Sequence, residues 1–213
     1  MAEIKKGILG GFSGKVGTVV GVNWRGKDII RSLPKATKRV PSDLQLMQQI
    51  KFKKVIDFLQ PIRPVLNAYF GSKAGLLSRY NVATSYTLGN AVDMVDDLPV
   101  IVMQRVLVSK GEWVGLLLPT RDTVGGNGFR MNWEDNSGQG NAKSTDMTNL
   151  VCYCEELNSF EVFQNMVSRD VLTADIVLPT YYNGKKVNFW AFLNNQTKTM
   201  SSTSIYLGEY TVV

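Results

Sequence analysis

Hydrophobic and polar positions change their rhythm along this chain. Between Val16 and Val22 the period is two. Val16, Thr18, Val20 and Val22 alternate with Gly17, Val19 and Gly21, so an extended strand here has one β-branched face and one nearly bare face. The run Asn23 to Asp28 supplies turn residues and Asp28 to Leu33 resumes the extended pattern, which predicts a hairpin over residues 15–33. Pro34 ends it, and the segment to Pro41 is a basic linker stiffened by a proline at each end. After the candidate caps Ser42 and Asp43 the spacing becomes helical, with Leu44, Met47, Val55, Phe58 and Leu59 on one side to about Gln60. Lys51 interrupts that stripe. Pro61 and Pro64 break the helix, and Ile62, Val65, Leu66, Tyr69 and Phe70 form the apolar face of a short second one, stopped by Gly71. Tyr80, Ala83, Leu88, Ala91 and Val95 predict a third over residues 79–95, weakened by Gly89.

From Leu98 onward short strands alternate with turn clusters. Strand-like stretches run over 100–108, 113–118, 129–133, 149–154, 160–164, 171–178, 186–193 and 202–210, with turns at Gly125–Gly128 and Glu134–Gly140. This spacing predicts an antiparallel β-sandwich with Trp133 and Trp190 as core aromatics joining its sheets. The fold class expected is α+β: an N-terminal glycine-rich β-hairpin arm with a small helical unit, then a C-terminal sandwich. The expected domains are 1–96, basic, and 97–213, acidic.

Composition sharpens the first of these. Seven glycines fall in the twenty residues from Gly7 to Gly26, where each costs conformational entropy unless a positive φ or a close backbone approach needs it. A bare strand face invites another backbone or a packed ring. Residues 1–80 hold 15 Lys and Arg against 4 Asp and Glu, a balance of +11, while residues 81–213 hold 9 against 14, a balance of −5. Two such poles suit a polyanionic partner or head-to-tail contact between copies. The expected interaction residues are therefore Gly10, Gly11, Phe12, Gly14, Val16, Gly17, Val19, Gly21, Trp24, Arg25, Lys35, Lys38 and Arg39.

Catalytic equipment is scarce. Histidine is absent, so neither a Ser-His-Asp nor a Cys-His arrangement can form. The acid pairs Asp96–Asp97, Glu134–Asp135 and Glu155–Glu156 sit in or beside turns, where solvated charges are the simpler reading. Leu9 and Val16 stand where a phosphate-binding loop needs a glycine and a hydroxyl. Cys152 and Cys154, two apart on a strand, read as buried thiols, and two soft ligands do not make a zinc site. Asp135, Asn136 and Asp146 offer oxygen ligands for calcium without matching a calcium loop. No cofactor, metal or small-molecule substrate is expected. No apolar run approaches the ~18 residues of a membrane span. The N-terminus lacks the apolar core of a signal peptide, so the expected location is cytoplasmic, with leaderless export or release in a particle left open.

The run Ile4 to Gly21, with Trp24-Arg25-Gly26 and Arg31-Ser-Leu-Pro34, resembles the opening signature of an uncharacterised family of Bacteroidota proteins, domain-of-unknown-function family 6266. The resemblance continues through Phe52, Phe58-Leu59, Pro61, Tyr80-Asn81, Trp133 to Gly140, Thr145-Asp146 and Ser204 to Gly208, essentially the whole chain. It implies no particular activity. The C-terminal pattern is similar to fibronectin type III or immunoglobulin-like sandwiches, by analogy of fold. The expected function is that of a non-enzymatic structural or assembly protein, forming a homo-oligomer or docking on a protein partner through its glycine-rich arm. The alternative is nucleic-acid binding by the N-terminal basic face, with Trp24 stacking among cations. Carbohydrate binding, with Trp113, Tyr181 or Tyr182 as platforms, is a weaker third.

Overall fold

Gly17 and Thr18 form a turn, with Gly17 at φ +56°. The run from Val16 to Val22 is therefore two strands, not one. In the computed structural model, which describes residues 3–4, 10–24, 26–35, 40–71 and 77–212, the chain divides into two compact units, Met1–Ser42 and Asp43–Val213. The first unit holds β1 (Glu3–Ile4), β2 (Phe12–Val16), β3 (Val19–Trp24) and β4 (Lys27–Ser32), paired antiparallel in that order. The hairpin expected over 15–33 is its β3–β4 half.

The second unit begins with α1 (Asp43–Leu59), α2 (Arg63–Tyr69) and α3 (Arg79–Asn90). Pro64 sits in the first turn of α2, where a missing N–H costs nothing, and the Ser78 side chain accepts from the Asn81 N–H to cap α3. Helix α3 stops earlier than its spacing predicts. Residues Val92–Val95 are instead strand β5, folded back on β6 (Leu98–Ile101) through Asp96 and Asp97, both at positive φ, as the tightest hairpin turn requires.

Seven more strands follow: β7 (Leu117–Val124), β8 (Gly128–Glu134), β9 (Met147–Cys154), β10 (Ser159–Phe163), β11 (Thr173–Val177), β12 (Lys186–Asn194) and β13 (Ile205–Thr211). They form a four-stranded sheet ordered β10-β9-β12-β13 and a three-stranded sheet ordered β11-β8-β7, both antiparallel. The fold is thus α+β, with helices beside antiparallel sheets.

The register of β9 against β12 decides where the core lies. Cys152 pairs with Phe189 and Leu150 with Ala191, and these side chains share a buried cluster with Phe129, Met131, Trp133, Ala174 and Ile176 of the three-stranded sheet. Their neighbours Val151, Tyr153, Trp190 and Phe192 point the other way, into a cluster with Val55, Phe58, Leu59, Leu66 and Phe70 of the helices. Both central strands are apolar on both faces. Trp133 fills the space between the sheets as expected, but Trp190 packs under the helices. The helices therefore share a core with residues 147–194, and the compact units part at Ser42–Asp43, whereas the sequence reading placed the boundary after residue 96. Among the described residues, no helix is long and apolar enough to cross a membrane.

Candidate functional site

Strand pairing in the first unit assigns its side chains to two faces. Val20 lies opposite Arg31 and Lys15, Val22 opposite Ile29, and Trp24 opposite Lys27. One face thus reads as an aliphatic and aromatic stripe bordered by three cations. Val22, Trp24 and Ile29 are exposed, and with Arg31 they line a shallow groove of about 330 Å³. All of β4 is exposed.

The opposite face is where the glycines serve. Gly14 pairs with Gly21, and the Phe12 ring lies so close over Gly21 that an added Cβ would fall 2.6 Å from the ring and 2.2 Å from the Phe12 carbonyl oxygen. Gly11 likewise yields to the Asp28 carboxylate, which would meet its Cβ at 2.0 Å. Asp28 also accepts from Asn23 Nδ2 at 2.8 Å, and Asn23 Oδ1 accepts the Gly26 N–H at 3.2 Å across the β3–β4 turn. On this face the sheet's own Phe12 ring covers Gly21, while Val16 and Ile30 of the same face stay exposed. A second backbone has no room over Gly21.

The expected interaction residues therefore separate. Gly21 is buried and Gly10, Gly11, Phe12, Gly14 and Val19 are half-buried, serving the sheet's interior contacts or its ends. Val16, Gly17, Trp24 and Lys35 are exposed, Lys35 beyond the end of β4. Arg25, Lys38 and Arg39 lie outside the described residues. Val20, Val22 and Ile29 join the Trp24 face without having been expected there, although the period-two alternation with Trp24 and the hairpin register would have found them. Divided at the structural boundary, the basic pole keeps its sign while the acidic one nearly vanishes: residues 1–42 hold 9 Lys and Arg against 2 Asp and Glu, +7, and residues 43–213 hold 15 against 16, −1.

In the second unit the polar residues turn inward. Arg169 is fully buried, and its guanidinium donates to Asp146 Oδ2 at 3.0 Å, to the carbonyls of Val114 at 2.7 Å and Gly115 at 2.9 Å, and to Asn136 Oδ1. Asp146 Oδ2 also accepts from the Trp113 indole at 2.8 Å and the Lys143 N–H at 2.9 Å. Trp133 Nε1 donates to the Arg169 carbonyl at 2.8 Å. The position where Asn136 and Asp146 could have offered oxygens to calcium is taken by the Arg169 guanidinium. Asp135 stays exposed, its carboxyl held below the usual range by hydrogen bonds from Ser137. No group of three or more metal-ligating side chains is present among the described residues.

The remaining candidates resolve by burial. Cys152 and Cys154 are free and buried, and burial, aided by Glu161, pushes the Cys152 thiol well above its ordinary range. Asp96–Asp97 and Glu155–Glu156 lie in turns, as expected. Of the proposed sugar platforms, Tyr182 is fully buried, Trp113 is half-buried with its N–H committed to Asp146, and Tyr181 is exposed with its hydroxyl on Glu161. A single exposed tyrosine makes no stacking site.

No curated protein matches the chain. Residues 11–208 match the family described as "Family of unknown function (DUF6266)", and over that span, most of its length, the chain belongs to that family.

Proposed function

We propose that this is a non-enzymatic structural or assembly protein whose N-terminal sheet is a docking arm for a second polypeptide. The observation that carries the reading is the exposed stripe of Val22, Trp24 and Ile29 bordered by Lys15, Lys27 and Arg31, on a strand pair whose outer member β4 is exposed throughout. An edge strand with such a face takes a partner strand through backbone hydrogen bonds, and the apolar stripe adds side-chain contact. The +7 balance of residues 1–42 selects an acidic partner surface and makes encounter fast at low salt. We read residues 117–211 as a fibronectin type III or immunoglobulin-like sandwich, supported by the order of its two sheets and the apolar cluster they share. The sandwich and the helices then serve as the body that carries the arm.

The test is light scattering of the full chain across a concentration series at low and high salt. The expected result is assembly beyond the monomer at low salt, reduced by Trp24→Ser with Ile29→Ser and by added salt. A monomer under every condition overturns the reading.

The same face supports a second reading, since an exposed indole among three cations is the composition on which bases stack. Single-stranded oligonucleotides titrated at low salt would then shift the full chain, with affinity falling steeply as salt rises. No shift with DNA or RNA removes it.

A further inference from the structure

The second unit contains a cavity of about 470 Å³ where the end of α2 and the start of α3 meet the loops 110–112 and 199–203. Its walls are tied to one another by hydrogen bonds. The Lys110 N–H donates to the Tyr69 carbonyl at 3.1 Å and the Gly71 N–H donates to the Lys110 carbonyl at 2.5 Å, which joins the first loop to α2. The Ser201 hydroxyl donates to the Tyr69 carbonyl at 2.9 Å and the Thr203 hydroxyl to the Gly111 carbonyl at 3.0 Å, which joins the second loop to both. A Cβ on Gly111 would fall 1.9 Å from the Ser201 carbonyl oxygen, so the two loops are pressed together. A cavity of this size with braced walls is of the kind that small molecules occupy.

Three charged side chains line it, Arg79, Lys110 and Glu112, and none of them forms an ion pair among the described residues. Lys110 and Glu112 are exposed and of opposite sign, the Lys110 ammonium lying 5.1 Å from the centre of the Tyr86 ring. They offset each other, so the balance of the wall is the single positive charge of Arg79. The Arg79 side chain is half-buried and its guanidinium is partly spent. Nη1 donates to the Ala68 carbonyl, whereas Nε is closed off from solvent without a partner and Nη2 has none among the described residues. Nε and Nη2 form one edge of the planar fork, an edge that matches the two oxygens of a carboxylate. A desolvated donor left unmade costs free energy that an incoming oxygen would recover. Ala68, Val82 and Met200 give the same cavity its apolar wall.

We propose that this cavity binds a small monocarboxylate with an aliphatic body. The two carboxylate oxygens accept from Nε and Nη2 of Arg79, and the chain lies along Ala68, Val82 and Met200. A single negative charge matches the balance of the wall, while a dianion such as inorganic phosphate would keep one charge uncompensated beside Glu112. The site is built entirely from the second unit, so it stands or falls independently of the docking arm.

Nuclear magnetic resonance of the full chain tests this, with hexanoate as the probe and two reporters, the Val82 methyl groups and the Arg79 Nε–H, the latter identified by its loss in Arg79→Lys. The expected result is that hexanoate moves both reporters and saturates with a Kd on the order of 1 mM. Hexanamide, which has the same shape without the charge, binds at least ~10-fold more weakly, and so does inorganic phosphate. Arg79→Lys keeps the charge but loses the fork and weakens hexanoate roughly ten-fold at the Val82 methyls. Because Arg79 also holds the Ala68 carbonyl, Met200→Glu is the second variant. Met200 is 44% exposed, so the fold tolerates the change, and a like charge on the apolar wall weakens hexanoate roughly ten-fold. Lys110→Gln leaves Glu112 unopposed and weakens it about three-fold, less at high salt. Reporters that stay still up to about 20 mM hexanoate overturn the proposal. Hexanamide binding as tightly as hexanoate overturns it too, by making the cavity merely apolar, and phosphate binding more tightly overturns the assignment to a monocarboxylate. Arg79→Lys and Met200→Glu variants that both bind like the parent place hexanoate elsewhere and overturn it as well.

Discussion

The two units handle their side chains in opposite ways. In residues 43–213 apolar groups of helices and sheets close two buried clusters on either side of β9 and β12, and even an arginine and an aspartate are drawn inside. In the N-terminal sheet the glycines let Phe12 and Asp28 press against the backbone of one face, while Val16 and Ile30 on that face and Val22, Trp24 and Ile29 on the other stay outward. Burial in the large unit yields stability, and exposure in the small one yields a surface. The comparison teaches that Gly11 and Gly21 mark close packing within the sheet and Gly17 and Gly26 mark its turns.

The largest expected effect is on the inward polar residues. Arg169→Ala strips four acceptors of their donor and leaves the Asp146 carboxylate buried beside an empty space, and breaking such a pair costs about 3–5 kcal/mol. Urea unfolding followed by near-ultraviolet dichroism should show the loss as a lower midpoint with an unchanged slope. A loss below about 1 kcal/mol would mean that the site is wet and that the contrast in burial is overstated.

The contrast was partly legible in the sequence. Helices α1 and α2 followed from their apolar spacing and from Pro61, Pro64 and Gly71, and most strands after residue 117 lie close to where alternation put them. The Val92–Val95 strand was hidden because helical spacing runs on through Ala91 and Val95, while the turn at Asp96–Asp97 lacks the glycine that usually signals it. The side to which Trp190 points could not be read, since Val187 to Leu193 is apolar at nearly every position and parity is informative only when one face is polar. Arg169 left no sequence signal. Its acceptors come from positions 114, 115, 136 and 146, loops far from it in sequence that only the tertiary fold brings together. The glycine use of the N-terminal sheet was readable in kind, but what packs on Gly21 is a ring two residues from Gly14, which needed the β2–β3 register to find.

Next in size is Gly21→Val. Its Cβ would fall 2.2 Å from a backbone oxygen, so the strand itself must move, and overpacking of this kind costs about 1–3 kcal/mol. Amide exchange should quicken over residues 12–32 and stay as it is in β9 and β12. Slowed or unchanged exchange in β3 would show that Phe12 does not rest on Gly21.

Alkaline pH separates the units by chemistry. Residues 1–42 contain neither cysteine nor tyrosine, whereas Cys152 and Tyr153 sit in the large unit's cores. Burial raises both groups, Tyr153 from 10.0 to about 12 and the Cys152 thiol well above 9.0. The folded chain therefore keeps protons that the unfolded chain gives up. Stability is full below pH 9 and declines as pH rises through the folded values, at about 1.4 kcal/mol per pH unit for the thiol. Cys152→Ala should flatten the decline between pH 9 and the onset of tyrosine ionisation, and an unaltered slope would place the sensitivity elsewhere.

The smallest effect on stability should come from the outward face, and that is what makes it diagnostic. Trp24→Ser with Ile29→Ser removes two exposed side chains, so the melting temperature of the full chain should stay within the range of a surface change, about 0.5 kcal/mol or less. Val22 and Val20 still pair with Ile29→Ser and Arg31 across the same backbone register, so the sheet keeps its hydrogen bonds. Differential scanning calorimetry should register no loss while low-salt assembly in light scattering falls. A loss of several kcal/mol would instead make Trp24 and Ile29 part of a core, and the small unit would then be built on the same plan as the large one.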